Sequence, residues 1–583
     1  MAAIKFKTAK GVERGCEEGF GGIDDRARGR AGTSSSAFLE NLDVSSGGAL
    51  TLRGGYEHRY SFPSAIRGTL NTADGIYTAC GNTLYFTDTE SGSTSEICTL
   101  PSESGEVDVF FMSGFLHVLD GTGLYRFSDS VLTEIEGYAP LYGMDWDPTD
   151  RGEIYEDINV VSNRLRISYL LSESSTYFEL GFSAASIDRI EINGHPSPLD
   201  RINYSFANDE QSVIEFRNID AGKRVTFFIT LAESSARRNM LQKPSKAFIF
   251  TSNGAERLCI YHPGASNSMI CSRTVSPEAY TASRKTNADS LDLYLPLSSI
   301  VIPGDGSSLI NGMARHCDRA LLFTETDTWC VDYEGEEREV ERILPKVFLL
   351  NSAIGSEILI GIAHCGNDPL SYYRGGIWQW HSTSGVRDEC SAELISAPIS
   401  SLLPHTPEKI LLLSVPHKQE IMIADPDDAR GRVLIYNTDL GTFTTYSGIF
   451  ADKLLLCGKA PAFIRDSEIY VFTDEAVEDI EDINSGDYLP IKSRLISHFC
   501  DFGTPEREKR SLRIMIDCEG SFEGLTLSME TEKGEIRSIP LKKPATGGII
   551  SERIVLPRFR KLRYSLSTSA GRIQYNGIIL SAK

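Results

Sequence analysis

The stretch that decides the fold is Ile76-Tyr-Thr-Ala-Cys80, followed by Gly81-Asn82 and then by Thr83-Leu-Tyr-Phe86. Two short runs of β-branched and aromatic residues flank a two-residue turn signal, which is the pattern of a tight β-hairpin. Long helical periodicity is nearly absent elsewhere, and similar runs alternate with Gly, Asn, Asp and Ser turns about every 8–12 residues. The sequence therefore predicts an all-β protein.

The hairpin unit recurs along the chain with drift in its sequence. Each recurrence spans roughly 40–50 residues, and repeats of this size with one hairpin or more predict the blades of a β-propeller, of which we count about five to seven. Most of the units end in a hydrophobic–aromatic pair. These pairs are Leu84-Tyr85, Leu124-Tyr125, Ile377-Trp378, Ile435-Tyr436 and Ile469-Tyr470.

Two segments depart from this repeat. Residues 154–240 contain alternating strands and the hairpin signal Asn193-Gly194, which together predict an inserted β-sandwich. Residues 488–583 contain further alternating strands and predict a C-terminal β-sandwich. The predicted division is an N-terminal arm at 1–36, first propeller blades at 37–153, the inserted sandwich at 154–240, the remaining blades at 241–475 and the C-terminal sandwich at 488–583.

Two segments are expected to lie outside these folded units. Residues 1–36 are rich in Gly, Ser and charged residues, so we expect an arm that is mobile or docked on a partner. The run Asp474-Glu-Ala-Val-Glu-Asp-Ile-Glu-Asp482 holds six carboxylates in nine residues. Such a cluster can bind cations, but a solvated linker is the favoured interpretation.

The charge balance of the chain limits its function. Acidic residues outnumber basic ones by 80 to 58, and the net charge is −22. This argues against a protein that grips a nucleic-acid backbone, because that needs clustered Lys and Arg. An acidic lumen would instead repel phosphate and let DNA slide through. The other interpretation, that the acidity only keeps the protein soluble, stays open.

The twelve cysteines are isolated from one another, and no C-x-x-C pair occurs. Their spacing encodes neither a zinc knuckle nor a thioredoxin-like site. We expect reduced thiols that act as small buried hydrophobes, in a protein that matures in a reducing cytoplasm. They are Cys16, Cys80, Cys98, Cys259, Cys271, Cys317, Cys330, Cys365, Cys390, Cys457, Cys500 and Cys518.

Signatures of catalysis and of cofactor binding are not found in the sequence. There is no G-x-S-x-G elbow or P-loop, and the Gly304/Gly306 turn lacks the Lys and the helix that would hold phosphate. We therefore assign no catalytic, cofactor-binding or metal-ligating residue and expect no enzyme. The histidines show no H-x-H or H-E-x-x-H spacing. They are His58, His117, His195, His262, His316, His364, His381, His405, His417 and His498.

Two groups of carboxylates could still form a site. Asp145 and Asp147 stand two residues apart, and a glycosidase needs two carboxylates across a cleft, but a turn into the insertion is the favoured interpretation. Asp425-Pro-Asp-Asp428 has features of a calcium loop without its regular ligand spacing. A hairpin loop is favoured there.

One aromatic group is ambiguous from sequence. Trp378 and Trp380 alternate onto one strand face, and Tyr372 and Tyr373 lie just upstream. These side chains would stack on a sugar if they were exposed and would form blade core if they were buried. Core is the favoured interpretation.

Residues 37–56 carry a resemblance to a known family through Asn41-Leu-Asp-Val44 and Gly48-Ala-Leu50-Thr-Leu-Arg53-Gly-Gly55. This stretch resembles the opening of propeller-type structural proteins of tailed bacteriophages, which often begin with N-(L/M)-x-(V/T) and then G-x-L-x-x-R-x-G before the first blade. In physical terms the glycines permit the turn, Leu50 and Leu52 seat the strand, and Arg53 makes a charge-assisted contact near a blade junction.

Three further stretches are similar to that family. Residues 155–166 with the strands at 176–230 look like the inserted domain of long-tailed phage versions. Residues 248–280 resemble the blade after the insertion, although Cys271-Ser-Arg-Thr-Val-Ser-Pro-Glu-Ala-Tyr280 departs from the family's more uniform ending. Residues 559–564 and 575–577 resemble the closing domain of tail-hub and nozzle proteins of short-tailed phages.

The resemblance implies a virion component made in the bacterial host cytoplasm. It would form a six- or twelve-fold homo-oligomeric ring around the DNA channel at the head–tail junction or tail, in a hub, nozzle or adaptor role. Its partners would be other neck, tail or capsid proteins, and it would contribute to DNA retention and ejection while DNA passes without specific binding.

No contact with a membrane is expected. No run approaches the about 18 apolar residues of a membrane span, and the sequence at residues 1–7 lacks the apolar stretch of a signal peptide. Two alternatives to the ring remain open. A receptor- or glycan-binding propeller on the virion surface would expose an aromatic cluster on one rim, and a glycan-degrading propeller would gather carboxylates in a central pocket.

Overall fold

The structure is a computed structural model, and it describes residues 13–18, 20–26, 35–135, 137–197, 204–232, 241, 245–252, 255–273, 293–316, 319–332, 345–359, 361–382, 390–404, 406–482, 487–542 and 548–583. Across these residues the regular elements are β-strands, together with three short 3-10 helices at Leu297–Ser299, Ala397–Ile399 and Pro407–Lys409. The predicted all-β class is therefore confirmed. Among the helices of the described ranges, none has the length and apolarity to cross a membrane.

In the described residues, five antiparallel four-stranded sheets and one four-stranded antiparallel part of a nine-stranded sheet follow one another along the chain, each built from strands that pair in sequence order. Sheet 1 contains Ile66–Asn71, Gly75–Cys80, Thr83–Asp88 and Thr94–Thr99; sheet 2 contains Asp108–Met112, Phe115–Leu119, Leu124–Ser128 and Val131–Glu134; sheet 3 contains Lys246–Ser252, Ala255–Tyr261, Met269–Cys271 and Ile300–Val301. Sheet 4 contains Ile310–His316, Arg319–Thr324, Thr328–Asp332 and Lys346–Asn351; sheet 5 contains His364–Cys365, Asp368–Tyr373, Gly376–Ser382 and Cys390–Leu394; sheet 6 contains Leu411–Val415, Glu420–Ala424, Val433–Asn437 and Thr442–Tyr446.

The opening hairpin of sheet 1 forms as its sequence predicts. Cys80 pairs with Thr83 across the two-residue turn, and Gly81 has a φ of 53°. That left-handed conformation carries little steric cost for glycine, because glycine has no Cβ. The prediction of a tight hairpin at residues 76–86 is confirmed.

Sheet 7 takes its fourth strand from the other end of the chain. Its first three strands are Lys453–Cys457, Ala460–Arg465 and Glu468–Thr473, and the fourth is Gly55–Ser61, with Tyr56 paired to Phe472. The strand that precedes sheet 1 in sequence therefore completes the last sheet, so that chain connectivity ties the last sheet to the first.

Neighbouring sheets bond to one another through their first strands. The Asp108 carboxylate of sheet 2 accepts a hydrogen bond from the backbone N–H of Ala247 in sheet 3 at 2.7 Å. His364 of sheet 5 donates from Nε2 to the Arg315 carbonyl of sheet 4 at 2.8 Å. The His364 carbonyl in turn accepts from Ser414 Oγ of sheet 6 at 2.9 Å.

The series of sheets returns to its start. Lys453 Nζ of sheet 7 donates to the Arg67 carbonyl of sheet 1 at 2.7 Å, and the same carbonyl accepts from the N–H of Val107 beside sheet 2 at 3.4 Å. Hydrophobic clusters also span each pair of consecutive sheets, the last and first included. Residues of consecutive sheets that belong to the same cluster include Leu84 and Val118, Phe110 and Leu258, Cys259 and Leu322, Phe323 and Trp380, Tyr372 and Ile421, Met422 and Phe463, and Ile464 and Ile76.

An inserted module interrupts the series between sheets 2 and 3. Its two sheets share one core, in which Phe178 packs on Phe227 with ring centroids 5.0 Å apart. The five-stranded sheet contains Leu141–Trp146, Arg164–Leu170, Arg224–Leu231, Ala184–Ile192 and His195–Ser197. The three-stranded sheet contains Ser175–Glu179, Val213–Ile219 and Ser205–Phe206.

The first strand of this module lies before the predicted boundary at residue 154. Leu141–Trp146 pairs in parallel with Arg164–Leu170, a strand that comes after the boundary. Local alternation in the sequence does not reveal which distant strand a segment will join. The predicted turn at Asn193-Gly194 does form, with φ values of 51° and 77°.

A terminal module follows sheet 7, and its two sheets also share one core. The six-stranded sheet contains Leu42–Val44, Leu50–Leu52, Ala570–Ala582, Lys509–Glu523 and Gly548–Phe559, with Glu13–Glu18 paired to Ala570–Ala582. The second sheet contains Ser493–Ile496, Leu562–Thr568, Thr526–Thr531 and Ile536–Pro540. It continues through Phe38–Glu40 into sheet 6.

The N-terminal residues therefore belong to other parts of the fold than those predicted for them from the sequence. The described part of the expected arm at 1–36 packs on its own chain, because Phe20 and Ile23 are buried in the core of the terminal module. Residues 37–52 join the terminal module, and the first sheet of the series begins at Ile66 and not at 37. The apolar faces of these N-terminal strands are buried only by the distant C-terminal strands, which explains the difference.

The acidic segment also differs from the predicted solvated linker. Glu478–Asp482 is a strand that pairs with Gly55–Ser61 and with Asp487–Pro490. Asp479 is buried and forms an ion pair with Arg53, with Nη2 and Oδ2 2.7 Å apart. A carboxylate inside a fold needs such a partner, since an unpaired buried charge is strongly unfavourable.

Arg53 is the centre of the junction between sheet 7 and the terminal module. Its guanidinium donates two hydrogen bonds to Asp479, and Nε donates to Asn41 Oδ1 at 2.9 Å. Asn41 also donates to the Lys492 carbonyl at 2.8 Å. The motif residues Asn41 and Arg53 thus join three segments that are far apart in sequence.

The two glycines after Arg53 are required by close packing. A Cβ at Gly54 would lie 2.3 Å from the carbonyl oxygen of Thr473, and one at Gly55 would lie 2.0 Å from that of Glu478. Neither glycine has a positive φ. The turn expected of the motif's glycines forms at Gly48, which has a φ of 77° between two paired strands, whereas Gly54 and Gly55 permit close backbone approach.

Beside this junction lies a buried acidic group. Tyr446 donates to the Asp43 carboxylate at 2.6 Å, and burial raises the pKa of Asp43 above its usual value. Burial, and then repulsion by Asp43, raises the pKa of Glu420 to about 7, while Lys418 opposes and Asp474 reinforces the shift. Because the raised pKa favours the protonated Glu420, this group stabilises the fold most at low pH.

We expect the Glu420→Gln variant to flatten part of the pH dependence of stability. In the wild type the contribution of Glu420 is complete below its unfolded pKa of 4.5 and is lost as the pH rises to about 7. Glutamine does not titrate, so the variant should gain stability relative to the wild type over that interval. Urea unfolding midpoints measured across the interval test this, and parallel pH profiles of the two proteins would contradict it.

Candidate assembly surface

The carboxylate pair suggested by the sequence is used in local contacts. Asp145 has a φ of 53° and forms an ion pair with Arg224 at 2.7 Å. Asp147 accepts hydrogen bonds from the N–H and hydroxyl of Thr149, which hold its pKa below the usual value, and it pairs with the backbone of Asp150. The expected turn is confirmed at Asp147, but it follows the first strand of the inserted module and so lies within the insertion, not before it.

The acidic loop suggested as a calcium site connects two strands of sheet 6. Asp427 pairs with Lys409 at 2.7 Å, and Asp428 pairs with Arg432 at 2.9 Å. Asp425 accepts from the hydroxyl of Thr406 at 3.1 Å. Each carboxylate therefore has a donor from the protein, as expected of a hairpin loop.

One of the two tryptophans of sheet 5 lies in the core. Trp380 is fully buried, packs edge-on against Phe323 with ring centroids 5.7 Å apart, and donates to Ser371 Oγ at 3.0 Å. Trp378 is half-buried and donates to the carbonyl of Tyr373 at 3.2 Å. The favoured interpretation as core is therefore confirmed for Trp380, Tyr372 and Tyr373, but not for Trp378.

Histidine and cysteine ligands do not gather in the described residues. Over those residues the structure contains no group of three or more His, Cys, Asp or Glu side chains that could hold a metal ion. Cys80, Cys259, Cys271, Cys330 and Cys518 are buried free thiols. His405, Cys16, Cys317 and Cys390 lie in parts of the chain whose side chains are outside the described residues.

One edge of the terminal module is open. Gly548–Phe559 ends the six-stranded sheet and Ile536–Pro540 ends the other sheet. The two edge strands lie together, since the Arg537 guanidinium donates to the carbonyl of Val555. We call this surface, formed by 536–540 and 548–559, the open edge. An edge strand leaves backbone hydrogen-bonding groups unpaired and is a template for another chain.

The open edge exposes large apolar side chains. Ile536 is 70% exposed, Ile549 is 62% exposed and Val555 is 67% exposed, which are the three highest values among the large exposed hydrophobic residues of the described chain. On the opposite face of Gly548–Phe559, the side chains of Ile550 and Ile554 pack into the core. Apolar residues on both faces of an edge strand indicate a surface that another protein covers.

The apolar side chains of the open edge are surrounded by arginines. Arg513 and Arg553 lie directly opposite one another on paired strands, and both are exposed. Like charges in that position repel one another, so an acidic surface placed over them would remove an unfavourable contact. Arg537 adds positive charge on the neighbouring edge strand, whereas Arg558 forms an ion pair with Glu508 at 3.2 Å.

The charge of the terminal module is opposite to that of the remaining chain. Residues 488–583 contain 17 Lys and Arg against 10 Asp and Glu, which gives +7. Subtracting this from the total of −22 leaves −29 on residues 1–487. The basic residues of the chain are therefore in excess only in the terminal module, and the remaining residues are acidic on balance. This asymmetry can be counted from the sequence, but composition of the whole chain conceals it.

Sheets 1 and 2 supply the complementary surface. Residues 74–134 contain ten acidic residues and one basic residue, Arg126. At one end of sheet 2 the side chains of Phe111, Phe115 and Val131 are 42%, 39% and 54% exposed. We call this end of sheet 2, with its acidic surroundings, the acidic face. It combines apolar contact area with the acidic composition of residues 74–134, and the one basic side chain of that stretch, Arg126, lies over the Phe115 ring at 4.9 Å.

Comparison with known proteins does not assign the chain to a family. No family model matches it, and no curated protein matches it. Among solved structures it is similar to the Mitotic Checkpoint Complex, at 12% identity over 82% of this chain and 97% of the matched chain, with a TM-score of 0.32. It is also similar to PorZ, a bacterial surface component of the type-IX secretion system of Porphyromonas gingivalis, at 11% identity over 90% and 71% of the two chains, with a TM-score of 0.26. At these TM-scores no property of either protein is carried over to this chain.

Proposed function

We propose that the seven sheets are the blades of a β-propeller and that the inserted and terminal modules are β-sandwiches. Three features support this arrangement: meander connectivity within sheets 1 to 6, hydrophobic clusters between consecutive sheets, and the return of sheet 7 to sheet 1. The strand Gly55–Ser61 would close the circle. Closure of this kind leaves few free strand edges.

On this scaffold the chain would be a non-enzymatic structural protein of a tailed-phage particle. It would form a homo-oligomeric ring around the DNA channel at the head–tail junction or tail, with other neck, tail or capsid proteins as partners. The family resemblance at residues 37–56 supports the setting, and the net charge of −22 supports a channel that DNA crosses without binding.

The observation that carries the proposal is the complementarity of the open edge and the acidic face. The basic, apolar edge of one copy would cover the acidic, apolar end of sheet 2 in the next copy. Two different surfaces then meet at each contact, and a contact of this head-to-tail kind generates a ring when its rotation closes. A two-fold dimer would need a self-complementary surface, whereas the open edge is basic on balance, with Arg537, Arg553 and Arg558 against Glu552.

We expect the purified chain to form an assembly whose mass is several times the 64.3 kDa of one copy. The Arg553→Glu variant should dissociate into smaller species. Reversal of a charge at the centre of the edge strand should weaken subunit association at least about tenfold, which is about 1.4 kcal/mol. Light scattering after size exclusion measures the mass at several protein concentrations, and negative-stain images show whether the particles are rings. Added salt should weaken the wild-type contact too.

Arg217→Glu is the matched control, because it makes the same charge change at an exposed position of the inserted module. It should leave the mass of the assembly unchanged. A wild-type chain that stays monomeric at every concentration would contradict the proposal, as would a monomer that cleaves polysaccharide.

A further inference from the structure

Two cysteines of sheet 3 face one another across neighbouring strands. Cys259 lies in Ala255–Tyr261 and Cys271 lies in Met269–Cys271, and the two residues are direct partners in the antiparallel register. Their sulfur atoms are 2.7 Å apart. Among the free thiols of the described residues, this pair is already within contact distance.

The backbone geometry of this pair suits a covalent link. Ser272 donates its N–H to the Leu258 carbonyl at 2.7 Å, so the adjacent pair of residues is the hydrogen-bonded one. Cys259 and Cys271 then occupy a non-hydrogen-bonded position, where opposite Cα atoms are about 4.5 Å apart and the side chains approach most closely. Disulfides span Cα separations of about 4.4–6.8 Å.

The surroundings of the pair would preserve the link once formed. Both cysteines are fully buried in the core between sheets 3 and 4, beside Met269, Ala320 and Leu322. A disulfide adds no polar group to this core and removes two thiol hydrogens from a crowded contact. The same burial raises the pKa of the Cys259 thiol and so disfavours the reactive thiolate in the folded protein.

We propose that Cys259 and Cys271 form an intrachain disulfide when the chain leaves a reducing compartment, with a peroxide or a low-molecular-weight disulfide as oxidant. With hydrogen peroxide, one thiol becomes a sulfenic acid and releases one water. The second thiol then attacks that sulfur, the S–S bond forms, and a second water leaves. Two electrons pass from the thiols to the peroxide. Both cysteines are free thiols in the structure, as expected for a reducing cytoplasm, and the proposal concerns their state under oxidising conditions.

The test uses the full chain in two ways. Native protein is incubated with hydrogen peroxide, and denatured protein is refolded in a mixture of oxidised and reduced glutathione, which gives access to the thiols before burial. Each sample is then denatured and alkylated, and its peptides are weighed. We expect two fewer free thiols than the twelve of the reduced chain, and a peptide pair joining 259 to 271 that separates on reduction.

The Cys271→Ala variant should lose the linked pair, whereas Cys80→Ala, which changes another buried thiol, should keep it. The oxidised wild type should also melt at a higher temperature than its reduced form, and this difference should vanish in Cys271→Ala. Recovery of both cysteines as alkylated thiols after refolding in the glutathione mixture overturns the proposal. So does a linked pair that involves other cysteines in place of these two. These results do not depend on whether the chain assembles into a ring.

Discussion

Replacing Arg53 by methionine should lower the free energy of unfolding by about 3–5 kcal/mol, the usual cost of breaking a buried ion pair by removing one partner. The Arg53 and Asp479 side chains are 1% and 9% exposed. Methionine fills a similar volume, but it leaves the Asp479 carboxylate in the interior without its cation. Asn41 also loses one of the two donors to its side-chain oxygen, while the N–H of Ser447 remains at 2.9 Å. Denaturant unfolding followed by fluorescence measures the loss.

Two further variants separate burial from the simple presence of an ion pair. Lys409→Met removes a pair of the same 2.7 Å distance whose side chains are 54% and 51% exposed, and it should cost at most about 1 kcal/mol. The double variant Arg53→Met/Asp479→Leu should recover much of the loss, because no unpaired charge remains. Equal losses for Arg53→Met and Lys409→Met would contradict the role of the junction.

The sequence predicts strands better than it predicts their partners. Gly81-Asn82 and Asn193-Gly194 mark their turns because few residues tolerate the positive φ of a two-residue hairpin. Pairing of Tyr56 with Phe472 has no comparable local signal. The alternation at residues 55–61 is equally compatible with a first blade or with a last one, and only the assembled chain decides between them.

The motif around Arg53 is a case in which the sequence does indicate a contact between distant segments. A charge-assisted contact of Arg53 was predicted, and the structure supplies Asp479 as its partner. The partner lies in a run of six carboxylates that reads as a solvated linker by composition. One carboxylate of that run faces inward because its strand lies against Gly55–Ser61. Burial of a single member of a charged run is not visible in composition.

The open edge is a further case in which chemistry alone is ambiguous. Ile549 and Ile550 are chemically identical neighbours, yet one is 62% exposed and the other is 5% exposed. A strand places successive side chains on opposite faces, so the sequence indicates two apolar faces but not which of them lacks a cover. The positive charge of residues 488–583 is readable from sequence, and it becomes informative only when the module is seen to be one unit.

Truncation of Tyr56 should be about as damaging as the loss of Arg53, because Tyr56 is the aromatic anchor of the closing strand. Its fully buried ring meets Phe463, Tyr470 and Phe472 edge-on, with centroid distances of 4.9, 5.7 and 6.0 Å. Tyr56→Ala leaves a cavity in this cluster, and we expect a loss of about 3–5 kcal/mol in the free energy of unfolding.

The Tyr56→Ala variant should also lose amide protection in a specific part of the chain. If Gly55–Ser61 closes the series of sheets, the Tyr56→Ala variant should lose amide protection first in its partner strand Glu468–Thr473 and then in sheet 1, while sheets 3 and 4 keep theirs. Tyr56→Phe is the matched control. It retains the ring contacts and loses one 3.4 Å hydrogen bond to the Gly448 carbonyl, so it should cost no more than about 1 kcal/mol. Uniform loss of protection across all seven sheets in Tyr56→Ala would show that closure is not local to sheet 7, because the strand would then be stabilising the chain as a whole.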